Sequence, residues 1–405
     1  MTSRPLGLHP TILLLASTHF LVDGFGNMYA PLLPLLIPQL NLSLAAAGTL
    51  QMCYQMANSV SQLAFGHLAD RWRPRRLLIT GPIIAVTVLS LVGPAPNVWA
   101  LAAVLIVGGL GGAAFHPPAA AVVHRLAGNR QGLAMSVHIT GGSLGFSLGP
   151  LFFAPFAERY GLAWTPLAML PALALLALFL RSVPPLERLQ ERHEVAGFRA
   201  LRPYAKPLTL LYFIVVLRTL TALGFSTFMP VMLTRRGMSV SEAGTAVAMY
   251  LFASSVGGFL GGPLADRLGA RLVIILSLVL SVPFLAIAPG LDGWAFVAVL
   301  SAGGFLLQST LPVNVTFGQM IAPISAATVS SLMMGFAWGT GGLSAPFVGM
   351  LGDRMGIERT LVILAFIPLV AAALALPLPP GKNAHATPRA SDIATPETTG
   401  TDVAP

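Results

Sequence analysis

The sequence reads GHLADR at residues 66–71 and GPLADR at residues 262–267, so one motif occurs twice at an offset of 196 residues. Further matches fall at offsets of 195 or 196 residues, each at a corresponding place in its half of the chain. They are Gly145 with Gly341, Pro150 with Pro346, Pro117 with Pro312, and residues 158–161 with residues 353–356. Repeated matches at nearly one offset predict that the chain contains two copies of one structural unit.

The composition excludes a soluble protein. Of the 405 residues, 55 % are apolar and 9 % are charged, and the mean hydropathy is +0.78. A soluble domain typically carries about 25 % charged residues, so these charges are too few to cover soluble domains. Such hydrophobicity also excludes a disordered chain. The single cysteine, Cys53, excludes a disulfide framework and a cysteine-based metal site. The class that remains is a membrane protein with many spans.

Twelve apolar segments are long enough to cross a bilayer, which requires about 20 helical residues. The first of them is too long for the apolar region of a cleavable signal peptide, so we interpret it as a span. The predicted spans are residues 11–37, 44–66, 77–95, 98–120, 131–157, 160–180, 208–233, 243–265, 272–291, 293–319, 326–350 and 360–379. The sequence therefore predicts an all-α membrane protein of twelve transmembrane helices, arranged as two pseudo-symmetric six-helix bundles.

Basic residues are distributed unequally between the two sides of the predicted membrane. With twelve spans, 17 of the 23 Lys and Arg residues fall on one side, five fall on the other, and Arg218 lies inside a span. The positive-inside rule makes the richer side cytoplasmic and places both termini there. We expect a multi-pass protein of the inner membrane. This distribution accounts for the formal net charge of +9 without any binding of nucleic acid.

The predicted domains follow from the repeat and from two polar segments. They are an N-terminal six-helix bundle at residues 1–180, a cytoplasmic linker at residues 181–207, a C-terminal six-helix bundle at residues 208–379, and a disordered cytoplasmic tail at residues 380–405. The tail is rich in Pro, Ala and Thr, a composition that cannot form a core. Two parallel repeats joined by a linker are typical of secondary transporters, in which two bundles move about a site near the bilayer midplane.

The G-x-x-x-D-R pattern in both halves resembles the signature of the major facilitator superfamily, and the resemblance covers roughly residues 8–380. Three further motifs resemble the fosmidomycin-resistance group of efflux proteins within that superfamily. They are His19-x-x-x-Asp23, Phe115-His116-Pro117 and Gly141-Gly142-x-x-Gly145-x-x-x-Gly149-Pro150. The last is also similar to the glycine motif of drug–proton antiporters. One departure is Arg73, which stands where the signature has glycine, whereas the second half keeps that glycine as Gly269.

The resemblance implies the major facilitator fold and drug efflux. It also implies that Asp70–Arg71 and Asp266–Arg267 gate the cytoplasmic side through charge contacts between the bundles. The alternative for these four residues is charge that only sets the membrane topology.

The glycine motif in span five predicts close helix packing. Gly141, Gly145 and Gly149 remove side chains from one helix face, and Pro150 removes one backbone hydrogen bond and so favours a kink. The alternative is ordinary packing with no part in coupling.

Asp23 is the only acidic residue inside any predicted span. A charge at the bilayer centre costs about 2.5–3.5 kcal/mol on insertion scales, so such residues are usually functional and face a cavity. His19, Asp23 and Asn27 are spaced four residues apart and form one polar stripe. We predict that Asp23 is the proton-coupling residue, together with His19 and with His116 of span four. The alternative is a structural acid that is hydrogen-bonded between helices.

Arg218 is the only basic residue inside a predicted span, and it lies 199 residues after His19. This offset places it near the pseudo-symmetric depth of His19 in the other half. Three interpretations are open. Arg218 pairs with Asp23, or it attracts an anionic substrate, since a guanidinium binds carboxylate or phosphonate groups through paired hydrogen bonds. The third interpretation is a charge that reaches the surface near a helix end.

Span two carries four amides at steps of four, three and four residues, which places them on one helical face. Amides that face lipid are costly, so we predict that this face lines a substrate cavity. The alternative is hydrogen bonding between helices. The predicted cavity residues are Asn27, Gln51, Gln55, Asn58, Gln62, His138 and Arg218.

The leading functional interpretation is proton-coupled export of a small organic compound or drug by alternating access. The first alternative is proton-coupled uptake of an organic anion, and the second is a non-transporting membrane sensor or scaffold.

No Gly-rich stretch is followed by the Lys-Ser/Thr of a phosphate-binding loop, so neither ATP-driven transport nor an enzyme is predicted. We expect no cofactor and no metal, only a proton gradient. The expected partners are substrate, protons and lipid, with function as a monomer.

Overall fold

The computed structural model describes residues 8–71, 74–182, 198–323 and 326–380. This part of the chain is almost entirely α-helical, which confirms the predicted fold class. The helices are α1 (Pro10–Gly26), α2 (Tyr29–Leu40), α3 (Leu44–Ser59), α4 (Ser61–Arg71), α5 (Pro74–Leu89), α6 (Val98–Leu126), α7 (Gln131–Tyr160), α8 (Met169–Ser182), α9 (Ala205–Arg235), α10 (Val240–Leu268), α11 (Ala270–Ile287), α12 (Gly293–Gln308), α13 (Thr310–Ile321), α14 (Ala326–Ser330), α15 (Ala337–Gly342), α16 (Ala345–Met355), α17 (Ile357–Ala365) and α18 (Ile367–Ala375). Short 3₁₀ turns extend this set at Ser90–Val92, Leu162–Ala168, Phe198–Tyr204 and Ala288–Gly290, and a π-helical turn lies at Ser331–Phe336.

Ten helical segments in the described ranges are long and apolar enough to cross a membrane. They coincide with ten of the twelve predicted spans. The second and eleventh predicted spans are also helical, at residues 44–71 and 326–355, but each is interrupted. The helix α3 gives way to α4 at Val60, and the π-helical turn precedes α15. All twelve predicted spans therefore correspond to helical segments, and the second and eleventh lie where the halves meet.

Local sequence signals determine where several helices begin and end. Ser43 caps the first turn of α3 through its hydroxyl, and Ser239 forms a capping box with Glu242 at the start of α10. Gly161 and Gly356 follow the last residues of α7 and α16 with φ angles of 89° and 86°, a region that favours glycine. These two glycines are matched positions of the repeat, so both copies end the same helix in the same way.

The halves meet through two helix pairs that the repeat relates to each other. The helix α3 packs on α16, and α10 packs on α7. A Cβ added at Gly48 of α3 would lie 2.2 Å from the carbonyl oxygen of Ala345. A Cβ added at Gly244 of α10, the position matched to Gly48, would lie 2.4 Å from the Cβ of Ala154. Small residues therefore allow close approach at both pairs.

One carboxylate crosses between the halves at each of these helix pairs. Asp353 accepts hydrogen bonds from the backbone N–H groups of Leu44 and Ala45, both at 2.9 Å. Glu158, its matched residue, accepts from the first two backbone N–H groups of α10, both at 3.0 Å, and from the Ser241 hydroxyl. Each carboxylate caps a helix N-terminus of the other half, where the helix dipole favours negative charge. Both contacts lie at the end of the bundle predicted to face away from the cytoplasm.

Several predicted features lie wholly or partly outside the described residues. They include the side chains of Asp70 and Arg71, most of the linker, and the tail from residue 381 onward. The helix α9 begins at Ala205, inside the predicted linker, so the second bundle starts before residue 208. Asp266 and Arg267 lie at the end of α10 and form no ion pair with another described residue. The gating role of these residues stays a prediction.

Removal of both carboxylate contacts should loosen this end of the interface. Each contact contributes about 0.3–1 kcal/mol at an exposed helix terminus. The double variant Glu158→Gln, Asp353→Asn should lengthen and broaden the distance between spin labels at Tyr160 and Arg235, measured by double electron–electron resonance. Glu242→Gln is the matched control, because Glu242 caps α10 from within its own half. A distance distribution unchanged in the double variant would show that these carboxylates do not hold the halves together.

Candidate functional site

Four ionisable side chains meet where α1, α6 and α7 pack together in the first half. His19 and Asp23 lie one turn apart on α1, His116 lies on α6, and His138 lies on α7. The side chains of His19, Asp23 and His116 are 13 %, 24 % and 18 % exposed, and His138 is buried. The fold thus brings together the three residues predicted to couple protons, and it adds His138, which was predicted to line the cavity.

Asp23 lies between two imidazole rings. Its Oδ2 is 3.2 Å from Nε2 of His19, and its Oδ1 is 3.5 Å from Nε2 of His116. The ring centroid of His19 lies 5.0 Å from that of His116 and 4.4 Å from that of His138. The Phe115 ring borders the group, with its centroid 5.9 Å from that of His19. The carboxylate is therefore surrounded by groups that can carry positive charge, within apolar helices.

The orientation of His19 determines where its hydrogens lie. Its Nδ1 is 2.9 Å from the backbone carbonyl oxygen of His138. A carbonyl oxygen only accepts, so this Nδ1 donates and carries a hydrogen. In the neutral ring, Nε2 is then an acceptor, and it faces a carboxylate oxygen of Asp23 at 3.2 Å. This contact is a hydrogen bond only when one further proton lies on the ring or on the carboxyl group. The geometry therefore contains a position for one exchangeable proton.

The glycines of α7 set its close approach to α1. A Cβ added at Gly141, Gly145 or Gly149 would lie 2.3, 2.0 or 2.7 Å from a carbonyl oxygen of α1. Real Cβ atoms do not approach an oxygen so closely, so the predicted flat face of α7 lies directly on α1. Pro150 continues this face, and its carbonyl oxygen would lie 3.0 Å from a Cβ at Gly244 of the second half. The same stretch of α7 thus contacts both α1 and α10.

Gly142 provides space for the ionisable pair. A Cβ at this position would lie 2.5 Å from Nε2 of His19 and 2.6 Å from Oδ2 of Asp23. The ligand atoms of His19, Asp23 and His116 all lie within 4.8 Å of one another, so by distance alone these three side chains could also hold a metal ion. The cluster therefore has two chemical uses to distinguish, proton exchange and metal binding.

Arg218 lies in the second half and does not pair with Asp23. It is only 1 % exposed, its Nη1 donates to Oε1 of Gln308, and its Nη2 donates to the hydroxyl of Thr219 at 3.1 Å. The guanidinium carbon lies 5.7 Å from the ring centroid of Trp338. Two of the three interpretations of Arg218 are therefore wrong, because it neither pairs with Asp23 nor reaches the surface. Anion binding stays a prediction.

The predicted amide face of span two contacts more than one neighbour. A Cβ at Gly342 of the second half would lie 2.5 Å from Cγ of Gln55, so Gln55 packs across the interface. A Cβ at Gly112 would lie 2.7 Å from Oδ1 of Asn58, so Asn58 packs within its own half. The Nε2 of Gln62 donates to the carbonyl oxygen of Asn58 at 3.0 Å. The three amides therefore have separate neighbours, Gln55 across the interface and Asn58 and Gln62 within their own half.

Asn27 and Gln51 are both buried. The Nδ2 of Asn27 donates to the carbonyl oxygen of Phe146 at 2.7 Å, which joins α1 to α7. This bond is of the interhelical kind considered as the alternative for the polar positions. Cavity lining by this group of side chains stays a prediction.

Sequence reasoning missed the polar and aromatic neighbours of Arg218. Gln308 and Trp338 carry no local signal, because they come from distant helices. Tyr250 could have been found from the repeat, since it is matched to Tyr54 at an offset of 196 residues. Both tyrosines are buried on corresponding helices.

A duplicated bundle of apolar helices with ionisable groups in its interior defines a multi-pass membrane transporter. The chain belongs to the Major Facilitator Superfamily, which its sequence matches over residues 15–239 and 211–395. This is a family of transporters rather than enzymes.

Related proteins include members associated with drug resistance. The Fosmidomycin resistance protein of Escherichia coli (strain K12) is 30 % identical over 363 residues, which cover 87 % of this chain and 89 % of that protein. The uncharacterised MFS-type transporter YfnC of Bacillus subtilis (strain 168) is 29 % identical, covering 90 % of this chain and 91 % of its own. The Multidrug resistance protein MdtG of Salmonella arizonae is 27 % identical over a stretch that covers 65 % of this chain and 68 % of the MdtG chain.

Solved structures share the fold. A bacterial homologue of the human lysosomal transporter Spinster, in an inward-facing and unoccupied conformation, superposes with a TM-score of 0.75 at 18 % identity and covers 90 % of this chain and 95 % of its own. The nucleoside transporter NupG superposes with a TM-score of 0.71 at 16 % identity, covering 91 % of this chain and 98 % of its own. These similarities confirm the predicted major facilitator fold.

Gly145→Ala should destabilise the protein, because the new Cβ would lie 2.0 Å from the carbonyl oxygen of Phe20 and α1 would have to move. Overpacking of this kind costs about 1–3 kcal/mol. The melting temperature in detergent should therefore fall. Gly132→Ala on the same helix is the control, since nothing lies within 4 Å of its Cβ position. Equal melting temperatures for the two variants would contradict close packing of α7 on α1.

Proposed function

We propose that this protein exports a small organic compound or drug across the inner membrane in exchange for protons, by alternating access. The observation that carries the proposal is the contact between Nε2 of His19 and Oδ2 of Asp23, which requires one exchangeable proton to be attractive. A half-buried carboxylate in contact with imidazoles is a group that can exchange a proton, as proton-driven transport requires.

Proton exchange at Asp23 can affect the interface between the halves through α7. Gly142 of α7 lies against the ionisable pair, and two turns further along the same helix Pro150 lies against Gly244 of α10. A change in charge at Asp23 alters its attraction to the two histidines and so the packing of α1 against α7. A single helix, α7, therefore connects the proton site to the interface that must rearrange.

The direction of transport is proposed from the relatives. Two of them are named as resistance proteins, for fosmidomycin and for multiple drugs. Export by this chain would give the same effect. We also propose cytoplasmic termini, function as a monomer, and gating at the cytoplasmic end by Asp70–Arg71 and Asp266–Arg267.

A second candidate is proton-coupled uptake of an organic anion. It is favoured by Arg218, a buried guanidinium whose hydrogen-bond partners in the described ranges are neutral. Antiport moves protons and substrate in opposite directions, whereas symport moves them together. Flux in proteoliposomes under an imposed pH gradient distinguishes the two candidates.

The test is a susceptibility panel that includes fosmidomycin, in a bacterial host that lacks its own efflux pumps. Cells with the wild type should tolerate more of at least one compound, and Asp23→Asn should abolish this, because an amide cannot take up the proton. Asp292→Asn is the matched control, since the Asp292 side chain is 92 % exposed. Protection by Asp23→Asn equal to that of the wild type would contradict proton coupling at Asp23.

A metal-binding measurement accompanies this test. Titration of the purified protein with Zn²⁺ by calorimetry should show no tight site that depends on His19 and His116. Tight binding that is lost in His116→Gln would show that the cluster holds a metal rather than the coupling proton.

A further inference from the structure

Arg218 is a buried positive charge without a counter-charge. It is 1 % exposed, and no described carboxylate lies within 4.0 Å of it. Its partners, the Gln308 amide oxygen and the Thr219 hydroxyl, are neutral. Its Nε has no hydrogen-bond partner in the part of the chain that the structure describes.

This arrangement is unfavourable for a protein that binds nothing here. Removing an ion from water is unfavourable, and neutral dipoles compensate only part of that cost. Buried ionisable groups in transporters are retained where they serve substrate or ion pathways. A group that brings negative charge to the guanidinium would supply the missing compensation.

Further buried polar groups accompany Arg218. Tyr250 and Ser254 lie one turn apart on α10, and within the described ranges their hydroxyls have no hydrogen-bond partner other than each other. Tyr250 lies within electrostatic range of the guanidinium. A Cβ at Gly304 would lie 2.5 Å from the Tyr250 ring and 2.6 Å from Oγ of Ser254, so the backbone of α12 packs closely against these two side chains. These groups can all donate hydrogen bonds, and an oxyanion accepts several at once.

We propose that Arg218, assisted by Tyr250 and Ser254, binds the oxyanion of the transported compound, a carboxylate or a phosphonate. This inference rests on the proposed transport function and adds its substrate class. The Trp338 ring, 5.7 Å from the guanidinium carbon, provides an aromatic surface beside the bound anion. The proton site lies in the first half and the anion site in the second half. Proton and substrate therefore do not compete for one residue, and each binds to the half that moves against the other.

The experiment measures binding without any pH gradient, so it does not depend on the direction or the coupling of transport. Trp338 is kept as the only tryptophan in the protein, reconstituted in lipid nanodiscs, and its fluorescence is followed. The probes are hexanoate and butylphosphonate, with hexanamide as the neutral probe of similar size. Both anions should change the fluorescence saturably and raise the melting temperature, and hexanamide should do neither.

Substitutions of Arg218 then identify the site. Arg218→Gln should remove both responses while folding at least as stably as the wild type without ligand, because a buried charge is gone. Tyr250→Phe should weaken anion binding. Arg235→Gln, at the exposed end of the same helix, is the matched control and should bind as the wild type does. Absence of binding in the wild type, equal binding of hexanamide, or unchanged anion binding in Arg218→Gln would each overturn the proposal.

Discussion

The contact between His19 and Asp23 is the interaction on which the proposed function depends. A carboxylate among apolar helices is costly unless a proton or a positive charge accompanies it. The carbonyl oxygen of His138 fixes one hydrogen of His19 and leaves its other nitrogen facing the carboxylate. The contact is therefore attractive when the pair holds one proton. Without that proton, the Nε2 lone pair and the carboxylate repel each other. The charge of the pair then depends on the proton concentration on the side of the membrane from which the pair is accessible.

The rest of the first half supports this pair through α7. Its glycines allow it to lie on the backbone of α1, and its continuation contacts α10 of the second half. The same end of α7 carries Glu158, which caps α10, and the matched Asp353 caps α3. The helix packing is therefore duplicated in the two halves. The ionisable residues are not duplicated, because Asp23 lies in the first half and Arg218 in the second. That asymmetry matches the proposed transport of two different cargoes, a proton and an organic molecule.

Much of the fold could be predicted from the sequence, since hydropathy and the repeat report on burial and on duplication directly. The helical segments and the glycine face of α7 were accessible in this way. The grouping of His116 with His19 and Asp23 came instead from the resemblance of Phe115-His116-Pro117 to a motif of efflux proteins. The interruption at Val60 was not accessible, because no Pro or Gly marks it in the sequence. The repeat aligned Glu158 with Asp353, but their reach into the opposite half required coordinates. The pairing of Arg218 with Asp23 was equally plausible from charge alone, and the structure separates them into different bundles.

Proton exchange at the His19–Asp23 pair is tested most directly by infrared difference spectroscopy during a pH titration of the purified protein. The carboxyl and imidazole bands report which group gains the proton. We expect one protonation change in the wild type that disappears in both Asp23→Asn and His19→Gln, because a single proton is shared by the pair. Identical difference spectra for the wild type and Asp23→Asn would contradict a proton site at this carboxyl group.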